Sequence, residues 1–330
     1  MYIAGLRTAL PETRISLRKS LKITLLTVGA IIALPVLLLT TTSLVNVVAT
    51  KSDLAGITAY GKLVPVDGHQ MNVVDTGTPG ETIVLLPGLG TAAPALDFQP
   101  LISELDDTYR VVAVEPFGTG LSDQIDTPRT AANITREVHD ALQYLGITRY
   151  VLMGHSIAGI YALEYSAAYA GELVAFVGID SSVPDQPGWD SSIPTEGLAQ
   201  LRDVGILRAL AAISGDPYDG KPYDDQTKKQ ISLLTTKNSS APTMLDEMER
   251  ASSNFSSVSG ASFPASLPVL LFTVKDDPEV PGWLELHQRQ AAGVEHGKVI
   301  PLAGEHYLHH TQSREIARDT EAFLAPLLVH

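Results

Sequence analysis

The chain contains no cysteine in its 330 residues. Disulfides, thiolate nucleophiles and cysteine-ligated metal centres are therefore excluded. Redox chemistry also gives no clue to compartment, because a cysteine-free chain tolerates either side of a membrane. Positive charge is scarce: 23 Lys and Arg stand against 37 Asp and Glu, a formal net charge of -14. Such a surface repels phosphate backbones, so nucleic acid is not expected as a partner. Internal repeats and low-complexity tracts are missing as well. Hydrophobic residues make up 45% and charged residues 18%, which allows a sizeable core and argues against wholesale disorder. The length suits one large α/β domain with an insertion.

Charge of either sign is absent from Ile23 to Thr50. Arg7, Arg14, Arg18, Lys19 and Lys22 precede this run, with Glu12 the only acid. An uncharged run of roughly 20 residues or more can cross the hydrocarbon core as a helix. The basic flank then predicts a cytoplasmic tail over 1–22, a single-pass anchor over 23–49 and the remainder outside the cytoplasm. The competing reading is a cleaved signal peptide ending near Val47-Val48-Ala49. The apolar region of such a peptide is about 7–15 residues, shorter than this one. A linker is expected over 50–60.

Beyond the linker, short apolar runs alternate with longer helical patterns, the signature of a mostly parallel sheet flanked by helices. Strands are expected at 62–66 and 70–75 around an Asp67-Gly68 turn. Further strands are expected at 82–86, 110–114, 149–153, 173–179, 268–274 and 298–301. Helices fit over 94–105, 129–145, 156–170, 281–292 and 313–327. The alternation breaks over 183–263, where helical pieces at 197–213, 224–236 and 241–252 sit among Gly, Pro, Ser and Asp. This block reads as a cap inserted into a core formed by 61–182 and 264–330. Polar and glycine-rich runs follow the strands, where such sheets bind ligands.

One of these runs is Gly154-His155-Ser156-Ile157-Ala158-Gly159. A serine hydroxyl needs a neighbouring base to act as a nucleophile. It also needs a sharp strand-to-helix turn, with small residues two positions either side, to project into a cleft. Gly154 and Ala158 supply those positions, so Ser156 is the candidate nucleophile. The bland alternative is a small-residue turn with no chemistry. His306 follows the last strand and is the candidate base. His309 and His310 follow closely, and with His306 they could form a metal cluster at i, i+3, i+4. No H-E-x-x-H or accompanying acidic set supports that, and no metal is expected. His155 is expected to pack beside the nucleophile, and His139, His287 and His296 read as ordinary surface or helix residues. The carboxylate that orients the base is expected on the loop after the 268–274 strand, with Asp277 first. Asp180 and Asp276 stand as alternatives, because triads are defined by geometry and not by position. Two N–H donors must hold a developing oxyanion. Ile157 is expected to give one. Leu89, in Pro87-Gly88-Leu89-Gly90-Thr91, is expected to give the other.

Together these runs resemble the α/β-hydrolase superfamily over roughly residues 60–327, the cap apart. Leu86-Pro87-Gly88-Leu89-Gly90 resembles its oxyanion loop, in which His-Gly is commoner than Pro-Gly. Glu115-Pro116-Phe117-Gly118-Thr119-Gly120-Leu121-Ser122 resembles its D-x-x-G-x-G-x-S loop, with Glu115 in place of Asp. Residues 154–159 resemble its nucleophile elbow, with Ala158 where Gly is usual. Residues 268–277 and 304–306 resemble its acid and histidine loops, and the chain order Ser, Asp, His agrees. The resemblance implies an eight-stranded α/β-hydrolase fold and a serine hydrolase without cofactor, acting on a small-molecule ester or acyl substrate. A membrane-anchored carboxylesterase or lipase-like enzyme leads. A C–C hydrolase, an acyltransferase and an inactive binding protein on the same scaffold stand beside it.

Overall fold

The computed structural model describes residues 13–275, 277 and 280–328. Eight strands form one sheet: β1 (Lys62–Val66), β2 (His69–Gly77), β3 (Thr82–Leu86), β4 (Arg110–Glu115), β5 (Tyr150–His155), β6 (Leu173–Ile179), β7 (Val269–Val274) and β8 (Gly297–Leu302). Their spatial order is β1-β2-β4-β3-β5-β6-β7-β8. Only β2 runs antiparallel to its neighbours, β1 and β4; the other pairings are parallel. The helices are α1 (Thr13–Gly56), α2 (Pro94–Asp97), α3 (Gln99–Leu105), α4 (Ala131–Tyr144), α5 (Ala158–Tyr169), α6 (Leu198–Asp203), α7 (Ile206–Ser214), α8 (Asp225–Asn238), α9 (Pro242–Ser257), α10 (Trp283–Ala292) and α11 (Ser313–Leu324).

Near-continuous apolar runs make strands buried on both faces, as a parallel sheet requires. Alternate residues feed two cores. Val84, Leu86, Val112, Leu152 and Phe176 pack with Val138, Ala141 and Tyr165 of α4 and α5. Ile83, Leu85, Val111, Val151 and Phe272 pack with Leu101 of α3 and Ile316 and Leu324 of α11.

Three expectations need correction. The helix expected over 94–105 is two helices that meet at Phe98, because Pro100 has no N–H to continue the first ladder. The helix expected over 197–213 breaks at Gly205, whose φ is +77°. A Cβ there would lie 2.6 Å from Thr42 O. The linker expected over 50–60 is helical as far as Gly56, since no glycine or proline interrupts 50–55. Gln230 closes this end of α1: its Nε2 donates to Gly56 O at 3.1 Å and its Oε1 accepts from Thr58 N at 2.9 Å.

Contacts divide the chain into two units. One is the N-terminal helix up to Ala49 with residues 200–214. The other runs from Thr50 to Ala199 and from Gly215 onward. Within the first unit, Asn46 Nδ2 donates to Arg202 O (3.0 Å) and Asp203 O (3.2 Å), and Arg208 Nε donates to Asn46 Oδ1 (2.9 Å). By length and composition α1 has one stretch able to cross a membrane, Lys19–Gly56, none of its apolar window buried by protein. A signal sequence passes the same test.

In the second unit Glu115 is a buried hub. Its carboxylate accepts from Tyr60 OH (2.7 Å), Asn72 Nδ2 (2.9 Å), Leu121 N (2.8 Å) and Ala95 N (3.2 Å). Burial pushes its pKa up, and these donors hold it back. Gly120 is obligatory beside it, because a Cβ there would overlap the carboxylate. Glu115→Ala strands several buried donors at about 1–3 kcal/mol each. Thermal unfolding should therefore show a Tm loss of at least about 5 °C, with Glu115→Gln intermediate.

Candidate active site

β5 ends at His155, and the chain turns sharply at Ser156 before α5 begins. Ser156 has φ +55°, a left-handed conformation that costs a non-glycine residue energy. Neighbours hold it there. Ser156 N donates to Ile179 O (3.2 Å), and Ser156 O accepts from Ser182 N (2.8 Å) and Gly159 N (3.0 Å). The tightness explains the motif. A Cβ on Gly154 would stand 2.8 Å from Ala158 Cβ, and one on Gly159 would stand 2.2 Å from Ser182 O. Alanine is admissible at 158 because glycine occupies 154.

His306 follows β8 and reaches Ser156: Nε2 lies 2.9 Å from Ser156 Oγ. Its Nδ1 lies 2.6 Å from Asp180 Oδ2. A carboxylate on Nδ1 places the proton there and leaves Nε2 free to accept from the serine hydroxyl. Asp180 is fully buried. Its Oδ1 accepts from Trp283 Nε1 (2.7 Å) and Val274 N (2.9 Å).

The carboxylate on His306 is thus Asp180, which corrects the expectation that put Asp277 first. Strand register is the reason. β6 lies directly between β5 and β7, and Asp180 N donates to Phe272 O, so Asp180 is fixed just past the carboxyl end of β6, next to the elbow. Asp277 lies further along the loop after β7, where its Oδ1 accepts from Val280 N at 3.0 Å. Asp276 lies outside the described residues.

The loop after β3 meets the elbow. A Cβ on Gly88 would come within 2.6 Å of His155 Nδ1 and 3.0 Å of Ser156 Cβ. Among the described residues no protein group accepts from Leu89 N or Ile157 N. His155 packs beside Ser156 as expected, buried, with Nε2 donating to His306 O (3.1 Å). Burial, with His309 and His306 nearby, holds its pKa well below the ordinary histidine value. His287 was expected as an ordinary surface or helix residue. It is fully buried in α10 and bonds Ser181 O (2.7 Å) and Trp283 O (2.8 Å).

His309 and His310 do not join His306. They turn to Asp97, whose place in the sequence looks like that of any acid in a helix's first turn. His309 Nε2 donates to Asp97 Oδ2 (2.7 Å) and His310 Nε2 to Asp97 Oδ1 (2.8 Å). Tyr218 OH also donates to Oδ1, at 2.8 Å. Burial would raise the Asp97 pKa, but the two histidine bonds outweigh it and hold the carboxyl well below the usual range. The ligand atoms of Asp97, His309 and His310 lie within 4.8 Å of one another, compact enough for a cation. Both Nε2 atoms already serve Asp97, and Lys221 Nζ lies 3.1 Å from His310 Nδ1. A carboxylate held between two imidazoles is the better account. It pins the turn that follows His306.

α9 of the cap region lies over the loop after β3. Met248 Cε would be 3.1 Å from a Cβ on Gly90. A recess of about 330 Å³, partly open to solvent, is lined by Leu86, Pro87, Gly88, Gly90, Tyr161 and Glu247, among others. Ser156 and His306 are not part of its wall. Glu247 is buried there, and Tyr161 OH donates to it at 2.7 Å. Burial raises its pKa.

A model of the alpha/beta hydrolase family matches residues 83–319, and the chain belongs to that family. Among its relatives is an uncharacterized protein of Bacillus subtilis (strain 168), YbdG, 25% identical over 278 residues, which are 80% of this chain and 85% of that protein. A putative non-heme haloperoxidase of Mycobacterium phage D29 is 27% identical over 52% of this chain and 61% of its own. Solved structures share the fold. A thermophilic esterase from Thermogutta terrifontis superposes with a TM-score of 0.61 at 18% identity, over 82% of this chain and all of that one. An epoxide hydrolase from Vigna radiata gives 0.60 at 16% identity, over 81% and 98%.

His155, His287 and His309 all have depressed pKa values, with burial the leading cause. Unfolding returns each to about 6.5. Below that pH the unfolded chain binds more protons, so the stability these groups contribute is lost as pH falls through about 6.5. Thermal melts should show a lower Tm at about pH 5.5 than at about pH 7.5, and His309→Asn should make the decline shallower.

Proposed function

We propose that this protein is a serine hydrolase of the carboxylesterase or lipase-like kind, working through an acyl-enzyme. The observation that carries the reading is the bonded chain Ser156 Oγ, His306 Nε2, His306 Nδ1, Asp180 Oδ2. Ser156 attacks the ester carbonyl while its proton passes to His306 Nε2. Asp180 holds the imidazole in the required tautomer and stabilises the cation that forms. The N–H groups of Leu89 and Ile157 receive the negative charge on the carbonyl oxygen. Collapse expels the alcohol, which takes the proton from His306. Water, deprotonated by the same nitrogen, then releases the acid and restores Ser156. No cofactor or metal enters these steps. Acyl transfer would differ only in the final acceptor, an alcohol or amine in place of water, and C–C hydrolysis in the leaving carbon.

The anchor belongs to the same proposal. The uncharged run after Lys22 is longer than a signal peptide's apolar region, and α1 exposes its leucines and valines along the whole run. The preceding basic residues orient the N-terminus to the cytoplasm and the hydrolase unit to the opposite side.

A fluorophosphonate probe should label the wild type and leave Ser156→Ala unlabelled. Equal labelling of both, or none of either, would sink the reading. Turnover of p-nitrophenyl esters separates the acids: Asp180→Asn should lower kcat by about 10³–10⁴-fold, whereas Asp277→Asn should leave it within about threefold of wild type. The reverse pattern would return the role to Asp277.

A further inference from the structure

α7 is an anomaly for a helix in water. Residues 206–214 read Ile-Leu-Arg-Ala-Leu-Ala-Ala-Ile-Ser, and none of them is buried. Leu210 is 50% exposed and Ile213 is 81% exposed. The single charged residue, Arg208, bonds inward to Asn46 of α1, and Ser214 Oγ is satisfied by Leu210 O at 3.0 Å. The outward surface is left almost wholly apolar.

Its position along α1 says what covers it. Starting where charge ends, at Ile23, the 20 residues to Thr42 rise about 30 Å at about 1.5 Å each. That is the thickness of a bilayer's hydrocarbon core. The α6–α7 turn meets α1 at this height. A Cβ on Gly205 would strike Thr42 O at 2.6 Å and Asn46 Cβ at 2.7 Å, and Asn46 holds both Arg202 O and Arg208 Nε. The hydroxyls below this level are silent. Thr40 and Thr41 donate back to Val36 O (2.7 Å) and Leu37 O (2.8 Å) within the helix, as threonines facing lipid must. Among the described residues, the first α1 side chain to bond outside its own helix, Asn46, therefore lies one helical turn beyond this height, and it holds the α6–α7 segment there.

We propose that α7 is a membrane-surface helix, its Leu210 and Ile213 seated in the head-group layer of the leaflet where α1 emerges. A short, nearly uncharged apolar helix tied to a membrane span gains at such an interface what it loses in water. The inference rests on the anchor reading above and would fall with it.

The absence of cysteine makes the test direct. Single variants Ile213→Cys, Leu210→Cys, Val36→Cys and Glu104→Cys of the full chain are labelled with an environment-sensitive fluorophore and reconstituted into phosphatidylcholine vesicles. Some of the lipids carry a nitroxide either near the head group or at the chain end. The Ile213 and Leu210 labels should be quenched by the shallow nitroxide severalfold more than the Glu104 label, and the Val36 label mainly by the deep one. If Val36 is quenched but the α7 labels match Glu104, the helix lies off the membrane and the proposal fails while the anchor stands. Blue-shifted α7 labels without quenching would assign the face to a second copy of the chain, and the proposal fails again. An unquenched Val36 label would overturn the anchor, and α7's membrane role with it.

Discussion

A carboxylate buried without donors would lose its charge or its place, because desolvation of an unpaired ion costs several kcal/mol. Asp180 keeps its place through three donors on three different elements: the indole of Trp283 in α10, the backbone N–H of Val274 in β7, and Nδ1 of His306 after β8. Each bond constrains a separate piece of chain. Remove the carboxylate and His306 loses the partner that fixes its tautomer, so Ser156 loses its acceptor. The strained turn at Ser156 is the complementary constraint. It is held by Ile179 O and Ser182 N, both of which flank Asp180 in sequence. One short stretch, 179–182, thus positions Ser156 and Asp180 together.

The sheet was legible because its strands are short, apolar and closed by polar runs, and every expected strand has a counterpart within a few residues. Ser156 and His306 were legible for a related reason. A serine flanked by small residues between a strand and a helix has few structural uses, and a histidine after the final strand has one obvious partner. The acid was not legible. Asp180 and Asp277 both follow strands, and the difference between them is register across β5, β6 and β7, which no local pattern encodes. Asp97 was invisible for a different reason. Its role depends on His309 and His310, more than 200 residues away in sequence, and on a cap tyrosine, Tyr218. The helix breaks at Phe98 and Gly205 follow from one proline and one close approach that periodicity averages away.

Two of the departures from the family's usual residues have a local answer. Ala158 is accommodated by Gly154. Glu115, longer by a methylene than aspartate, reaches Tyr60 and Asn72 as well as the backbone of Ala95 and Leu121. It ties α2, next to the loop after β3, to the Gly118–Ser122 turn. Polar ties then carry the cap helices α8 and α9. Asn238 Nδ2 donates to Ala92 O and Gly120 O, Thr243 pairs with Ile125 in both directions, and Asn254 spans Arg129 O and Ala131 N. These bonds are directional, so α8 and α9 are fixed with respect to the loops that carry Leu89 and Gly90.

The 200–214 segment follows another logic. It shares a unit with α1, not with α8 and α9, and Asn46 bonds it there. An apolar helix surface is stable when buried in protein or immersed in lipid, and a helix this short is marginal in water on its own. α1 has none of its apolar window buried, and α7 has no buried residue. The two elements therefore share one unmet requirement, and they meet at the height on α1 where a single bilayer would meet it for both.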